Sequence, residues 1–197
     1  GPKVFAGEYA AHVKGNPPEA EGMNCWESAL AEAAFMTGLE RNADLVLMCS
    51  YAPLLAHTDA WQWRPDLIWF DNLSTAPTPN YYVQQLFSTN KGTDVVAITE
   101  DGKAVAGKDS LYCSAVIDKQ KAELIIKMVN SSGMPQTIEL NLTGVKLARK
   151  EAALQSLAAN ELAGFNKLSE LYKLTPEEKS FPVRTNRFSQ NLPGYSV

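Results

Sequence analysis

A chain of 197 residues has room for one or two ordinary domains. Its residues are 45% hydrophobic and 20% charged, a globular balance that excludes wholesale disorder. Eighteen basic against 22 acidic residues leave a net charge of −4 with no Lys/Arg cluster, so nucleic acid is not an expected partner. No apolar run reaches the roughly 18 residues of a spanning helix, so no membrane partner is expected. Cys25, Cys49 and Cys113 are scattered and odd in number, and His12 and His57 lie far apart. The sequence therefore suggests neither a disulfide framework nor a metal site, and the three cysteines read as plain buried residues. The amino terminus lacks the apolar core of about 7–15 residues that marks a signal peptide. If the chain is part of a longer polypeptide, that says nothing about where the parent resides.

Residues 3–11 read as a short buried strand ending near Glu8. Residues 12–23 carry Gly15, Pro17, Pro18 and Gly22, which is loop chemistry. A helix follows. Asn24 with Glu27 three positions on resembles a capping box, and Gly38 is a natural terminator. Trp26, Ala29, Leu30, Ala33 and Thr37 recur at helical spacing, a narrow face able to lie close on a sheet. Glu32 reads as part of the wet face. Residues 44–56 open with a continuous apolar run, as in a strand buried on both sides of a parallel sheet. Strand, helix and strand make one βαβ unit. Residues 67–70 are a short extended piece after a Trp-rich stretch, and residues 79–90 form a helix with Pro79 in its first turn.

Beyond Lys91-Gly92 the pattern changes. Residues 94–99, 111–117, 124–130 and 137–142 are short β-rich runs separated by Asp101-Gly102, Ser132-Gly133 and Thr143-Gly144. Strands at roughly ten-residue spacing argue for a β-sandwich. Alternation in residues 123–129 and 138–142 suggests one wet face. Residues 151–175, rich in Ala and Leu, are open to helix; 160–166 read as loop, and the tail from Phe188 enters a last strand. The expected organisation is α/β for residues 1–92 and all-β for residues 93–197.

Five segments then carry a family resemblance. VFAGEYAA at 4–11 resembles the seventh-strand motif of the α-L-arabinofuranosidases of glycoside hydrolase family 51. NCWESALAEAAFMTGLERN at 24–42, MCSYAPL at 48–54, WRPDLIWFD at 63–71 and PNYYVQQLFS at 79–88 resemble the same family in the right order. The resemblance is dense over residues 4–90 and thinner beyond. It implies a (β/α)8 barrel followed by a jelly-roll-like β-sandwich. A barrel needs at least about 200 residues by itself. Residues 1–92 are then the last two βα units, residues 93–197 the sandwich, and the chain the carboxy-terminal portion of a longer enzyme.

The implied chemistry is retaining, exo-acting release of terminal arabinofuranosyl groups from arabinose-containing polysaccharide or oligosaccharide. It needs two carboxyl groups about 5–5.5 Å apart, one a nucleophile and one an acid/base, and no cofactor. By resemblance Glu8 stands at the nucleophile position, at the carboxyl end of a barrel strand. A nucleophilic carboxylate is best kept ionised among hydrogen-bond donors. The family's acid/base follows an Asn. Asn160-Glu161 is the one such pair here and falls in the presumed sandwich, so the acid/base is expected outside this chain and the isolated chain is expected to be inactive. His12, His57 and Trp63 are the candidate substrate contacts; His12 reads equally as an exposed loop residue, and Trp61 and Trp63 as packing aromatics. Pro53 departs from the family pattern where some members have an amide. Asn24 and Glu27 read as capping residues. The rival reading is a non-catalytic carbohydrate-binding or structural β-sandwich module. Open parallel strand edges make a homo-oligomer an expectation, and secretion or periplasmic location is implied for the parent.

Overall fold

The structure, a computed structural model, describes residues 1–15, 17–147 and 150–197, so position 16 of the predicted loop lies outside it. Strand β1 (Val4–Tyr9) leads through a short 3-10 turn to helix α1 (Trp26–Arg41) and strand β2 (Val46–Tyr51), and β1 and β2 pair in parallel. The predicted strand–helix–strand unit is therefore present. Its strands are not buried. Phe5, Leu47 and Met48 are each about 60% exposed, at 59%, 63% and 61%. Two strands and one helix cannot cover both faces of a sheet, and among the described residues β1 and β2 pair only with each other and form no closed barrel. Cys49 is exposed for the same reason, against the expectation that all three cysteines are buried.

The apolar run at 44–56 divides at Pro53, which has no N–H for a ladder. Beyond it, β3 (Leu55–His57), β4 (Ile68–Phe70) and β5 (Thr75–Pro77) form a small mixed sheet in the order β3-β4-β5. Helix α2 (Pro79–Thr89) begins as expected, with Pro79 in its first turn; Thr78 caps it by accepting the Tyr81 N–H at 3.2 Å.

Apart from a 3-10 turn at Lys108–Ser110, the remaining described elements are strands. They are β6 (Asp94–Val96), β7 (Thr99–Glu100), β8 (Lys103–Ala104), β9 (Leu111–Asp118), β10 (Glu123–Asn130), β11 (Gln136–Asn141), β12 (Glu151–Ser156), β13 (Glu177–Pro182) and β14 (Arg187–Leu192). They pair as β10-β9-β6, β7-β8, β11-β14 and β12-β13. The Asp101-Gly102 turn has φ of 50° and 75°, the left-handed pair that a two-residue hairpin needs. The helix option for 151–175 is overturned. Residues 151–156 are β12, whose alternation of exposed and half-buried positions follows the strand period of two.

Helix α1 is the centre of the core. Trp26, Ala29, Leu30, Ala33 and Met36 pack with Val83 of α2, Val129 of β10, and Leu157 and Leu174. The face predicted from spacing is the buried one, and it lies on the β9–β10 side, so one core joins the segments before and after residue 92. The Trp26 indole donates to the Tyr195 carbonyl at 2.8 Å, and Arg41 donates to the Cys113 carbonyl at 2.6 Å. The wet face expected of β10 is dry at Lys127, which is 8% exposed and ion-pairs with Glu40. Lys127 shares a strand face with Val129, so α1 covers both.

Both predicted helix ends are corrected. Cys25, not Asn24, is the N-cap, with no side-chain cap bond, and the helix runs through Gly38 to an Asn42 C-cap. A left-handed stop is not required at Gly38, and Asn42 Nδ2 donates to the Gly38 carbonyl at 2.7 Å.

Candidate active site

The carboxyl end of β1 is irregular. Ala6 pairs with Cys49 and Tyr9 with Tyr51, so three steps on β1 face two on β2. The extra residue makes a bulge, and Glu8 sits in it with φ 55°, the left-handed region that a residue with a Cβ seldom enters. Such a conformation persists only where the surroundings impose it, and it re-aims the side chain it carries. Glu8 is exposed and its side chain makes no hydrogen bond among the described residues, so the donors expected around it are not seen among them.

Beneath the bend lies a buried polar layer. Glu32, read from sequence as wet, is 2% exposed. Its Oε1 accepts the Ala11 N–H at 3.0 Å and its Oε2 accepts Gln84 Nε2 at 3.1 Å. Gln84 Oε1 in turn accepts the Tyr9 hydroxyl at 2.7 Å. Burial pushes the Glu32 carboxyl up to about 7, against the opposing bond from Ala11. Asn80 Nδ2 lies on the same side without a bond of good geometry.

Asn24 belongs to this layer and not to a cap. It is fully buried, donates to the Tyr51 hydroxyl at 2.9 Å, and its Oδ1 accepts the Asp66 N–H at 3.0 Å. Burial raises both the Tyr9 and Tyr51 phenols and pushes Asp66 up to about 6. Asp66 Oδ2 has no hydrogen-bond partner among the described residues. The layer thus ties β1, β2, α1, α2 and the loop before β4 into one polar floor.

Of the predicted substrate contacts, two meet. The rings of His12 and Trp63 stand edge to face at 6.0 Å, and both side chains are exposed. His57 is elsewhere. Its ring meets Phe70 at 5.2 Å, its Nδ1 accepts the Asp59 N–H at 3.1 Å, and its Nε2 faces Asn72 Oδ1 at 3.3 Å. Trp61 packs on Trp69 at 6.2 Å with Arg64 over its face at 5.2 Å, a packing role. The sequence reading missed Glu32, Gln84, Asn24 and Asp66. A signal was present: Asn24, Ser28 and Glu32 repeat every four residues, a polar stripe beside the apolar one.

On the sandwich side, a cleft of about 370 Å³ between Gly133, Ala158, Pro193 and Tyr195 has no charged residue in its lining. Among the described residues no cluster of His, Cys, Asp or Glu has the arrangement of a metal site, and no helix is long and apolar enough to cross a membrane.

Comparison with known proteins agrees with these features. The α-L-arabinofuranosidase C-terminal domain family matches residues 7–196. An extracellular exo-α-L-arabinofuranosidase of Streptomyces chartreusis is 56% identical over 96 residues, 49% of this chain and 10% of that protein. α-L-Arabinofuranosidase 1 of Arabidopsis thaliana is 31% identical over 100% of this chain and 28% of its own length. Among solved structures, an arabinose-bound family 51 α-L-arabinofuranosidase superimposes with a TM-score of 0.78 at 31% identity, over 88% of this chain and 27% of that one. The Thermotoga maritima α-L-arabinofuranosidase shares the fold at a TM-score of 0.77 and 16% identity, over 98% of this chain and 42% of that one. The chain therefore spans under a third of the curated relatives it matches, and it belongs to the α-L-arabinofuranosidase C-terminal domain family, the carboxy-terminal part of glycoside hydrolase family 51 enzymes.

Proposed function

We propose that the polypeptide containing this chain is a retaining, exo-acting α-L-arabinofuranosidase that releases terminal arabinofuranosyl groups from arabinose-containing polysaccharides or oligosaccharides. Residues 1–92 are the closing βα units of its barrel and residues 93–197 a jelly-roll-like sandwich that braces them. The observation that carries the reading is Glu8, forced into a left-handed bulge at the carboxyl end of a parallel strand. Active sites of barrel enzymes gather at that end.

In the reaction, a Glu8 oxygen attacks the anomeric carbon while the bond to the leaving oxygen breaks. The acid/base, supplied from outside this chain, gives that oxygen its proton. Water then attacks the glycosyl-enzyme, its proton passing to the same group, and the anomeric configuration is retained. The exposed ring pair His12 and Trp63 supplies a flat surface for the sugar C–H face. His57, with both nitrogens engaged, offers only its ring face. The isolated chain lacks the acid/base and does not turn over. The sandwich cleft, with a single aromatic in its lining, gives little support to glycan binding there.

The test is Glu8→Ala in the full-length polypeptide. Hydrolysis of an aryl α-L-arabinofuranoside should be abolished and azide should restore it, giving the glycosyl azide. Near-normal hydrolysis by that variant rejects the nucleophile role.

A further inference from the structure

We infer that Glu32 and Gln84 are positioning residues for Glu8: a buried hydrogen-bond chain, Glu32–Gln84–Tyr9, with a second arm from Glu32 to the Ala11 N–H, holds the segment from Glu8 to His12 in its bent path. This rests on the nucleophile reading of Glu8. The chain has one direction while Glu32 is ionised. Glu32 carries no donor when ionised, so Gln84 must turn its Nε2 toward Glu32 at 3.1 Å. That leaves Gln84 Oε1 to accept the Tyr9 hydroxyl at 2.7 Å. Tyr9 follows Glu8 directly, and Ala11, held at 3.0 Å by the other Glu32 oxygen, precedes His12. Two positions on the carboxyl side of the bulge, Tyr9 and Ala11, are thereby tied to helices α2 and α1. Tyr9 is also wedged between rings, 5.3 Å from Phe35 and 6.1 Å from Tyr51.

Glu32 has no ion-pair partner among the described residues. An unpaired carboxylate at 2% exposure is costly to keep for stability alone. Its retention is explained if its two acceptor oxygens are needed where they point. A displacement of about 1 Å at a nucleophile can lower turnover by roughly a hundredfold, so a modest slackening of this clamp is visible in kcat.

The direction of the chain supplies the test. In the double variant Glu32→Gln/Gln84→Glu every bond keeps its donor and acceptor. Gln at 32 still accepts from Ala11 and now donates to the carboxylate at 84, which still accepts from Tyr9. Gln84→Glu breaks the order, placing two carboxylates face to face, whereas Glu32→Gln keeps it if the Gln84 amide turns over and donates to the Tyr9 hydroxyl. In the full-length polypeptide Gln84→Glu should lower kcat about tenfold or more with KM within about threefold, and the double variant should return to within about threefold of wild type.

Hydrogen exchange at the Ala11 amide gives a readout that needs no substrate. It should accelerate about tenfold or more in Glu32→Ala and stay near wild type in the double variant. A Gln84→Glu variant with wild-type kcat, a double variant as slow as Gln84→Glu while as stable as wild type, or an unchanged Ala11 amide in Glu32→Ala would each overturn the inference. Activity surviving in Glu8→Ala would instead remove the nucleophile reading and leave the exchange result standing.

Discussion

Glu8 illustrates how one residue can carry strain for chemistry. A Cβ-bearing residue in the left-handed region costs about 1–2 kcal/mol relative to a relaxed strand. Glycine meets no such cost. Glu8→Gly should therefore be about 1 kcal/mol more stable than Glu8→Ala, both being inactive, when the full-length polypeptide is unfolded in denaturant. Equal stability would show that the bulge is relaxed and its geometry incidental. Nothing in the residue types at 4–11 announces this bend. Tyr9 and Glu8 read as ordinary strand positions, and only the pairing of Ala6 with Cys49 and Tyr9 with Tyr51 reveals the extra residue.

At the scale of elements, helix α1 does two jobs. Its apolar stripe faces the β9–β10 side and its polar stripe faces the ends of β1 and β2. The first was legible in the spacing of Trp26, Ala29, Leu30 and Ala33 because helical period and side-chain size suffice to define it. The second was not, because a Glu on a helix reads as solvated until a neighbouring element covers it. The strand β12 was obscured for a similar reason: its Ala-Ala-Leu core has helical propensity, and pairing with β13 overrides it. The Glu40–Lys127 pair shows the same coupling between α1 and β10. Burial lowers the Lys127 ammonium, and the Glu40 carboxylate opposes that shift. Removing one partner strands a charge in the core, so Lys127→Ala should cost about 3–5 kcal/mol in denaturant unfolding. Arg187→Ala, at an ion pair whose side chains are 69% and 60% exposed, should leave stability close to wild type. Similar losses at both sites would contradict the assignment of Lys127 to the core.

For the whole molecule, two consequences follow from what is covered and what is not. Glu32 has a folded pKa raised from 4.5 to about 7 by burial. A raised carboxyl favours the protonated folded state, so the stability it contributes is complete below pH 4.5 and is lost as pH rises through 7. The loss is on the order of 3 kcal/mol. The melting temperature of wild type minus that of Glu32→Gln should therefore fall between pH 4.5 and 7 and then level off, and a flat difference would refute the burial argument. The open β1–β2 sheet has the opposite problem. Val4, Phe5, Leu47 and Met48 are all exposed on a two-stranded sheet with open outer edges, and the isolated 197-residue chain should self-associate. Sedimentation of that chain should show species larger than a monomer, reduced by Leu47→Lys. The sequence carried the strand pair and its parallel direction, but burial depends on neighbours outside a local pattern, and so exposure could not be read from it.

The most direct test is to quench the full-length polypeptide during turnover of a slowly released arabinofuranoside and map the peptides by mass. The account predicts one arabinofuranosyl unit bonded to the Glu8 side chain and absent from Glu8→Gln. A unit attached to another carboxylate, or none despite rapid hydrolysis with retained configuration, would contradict it.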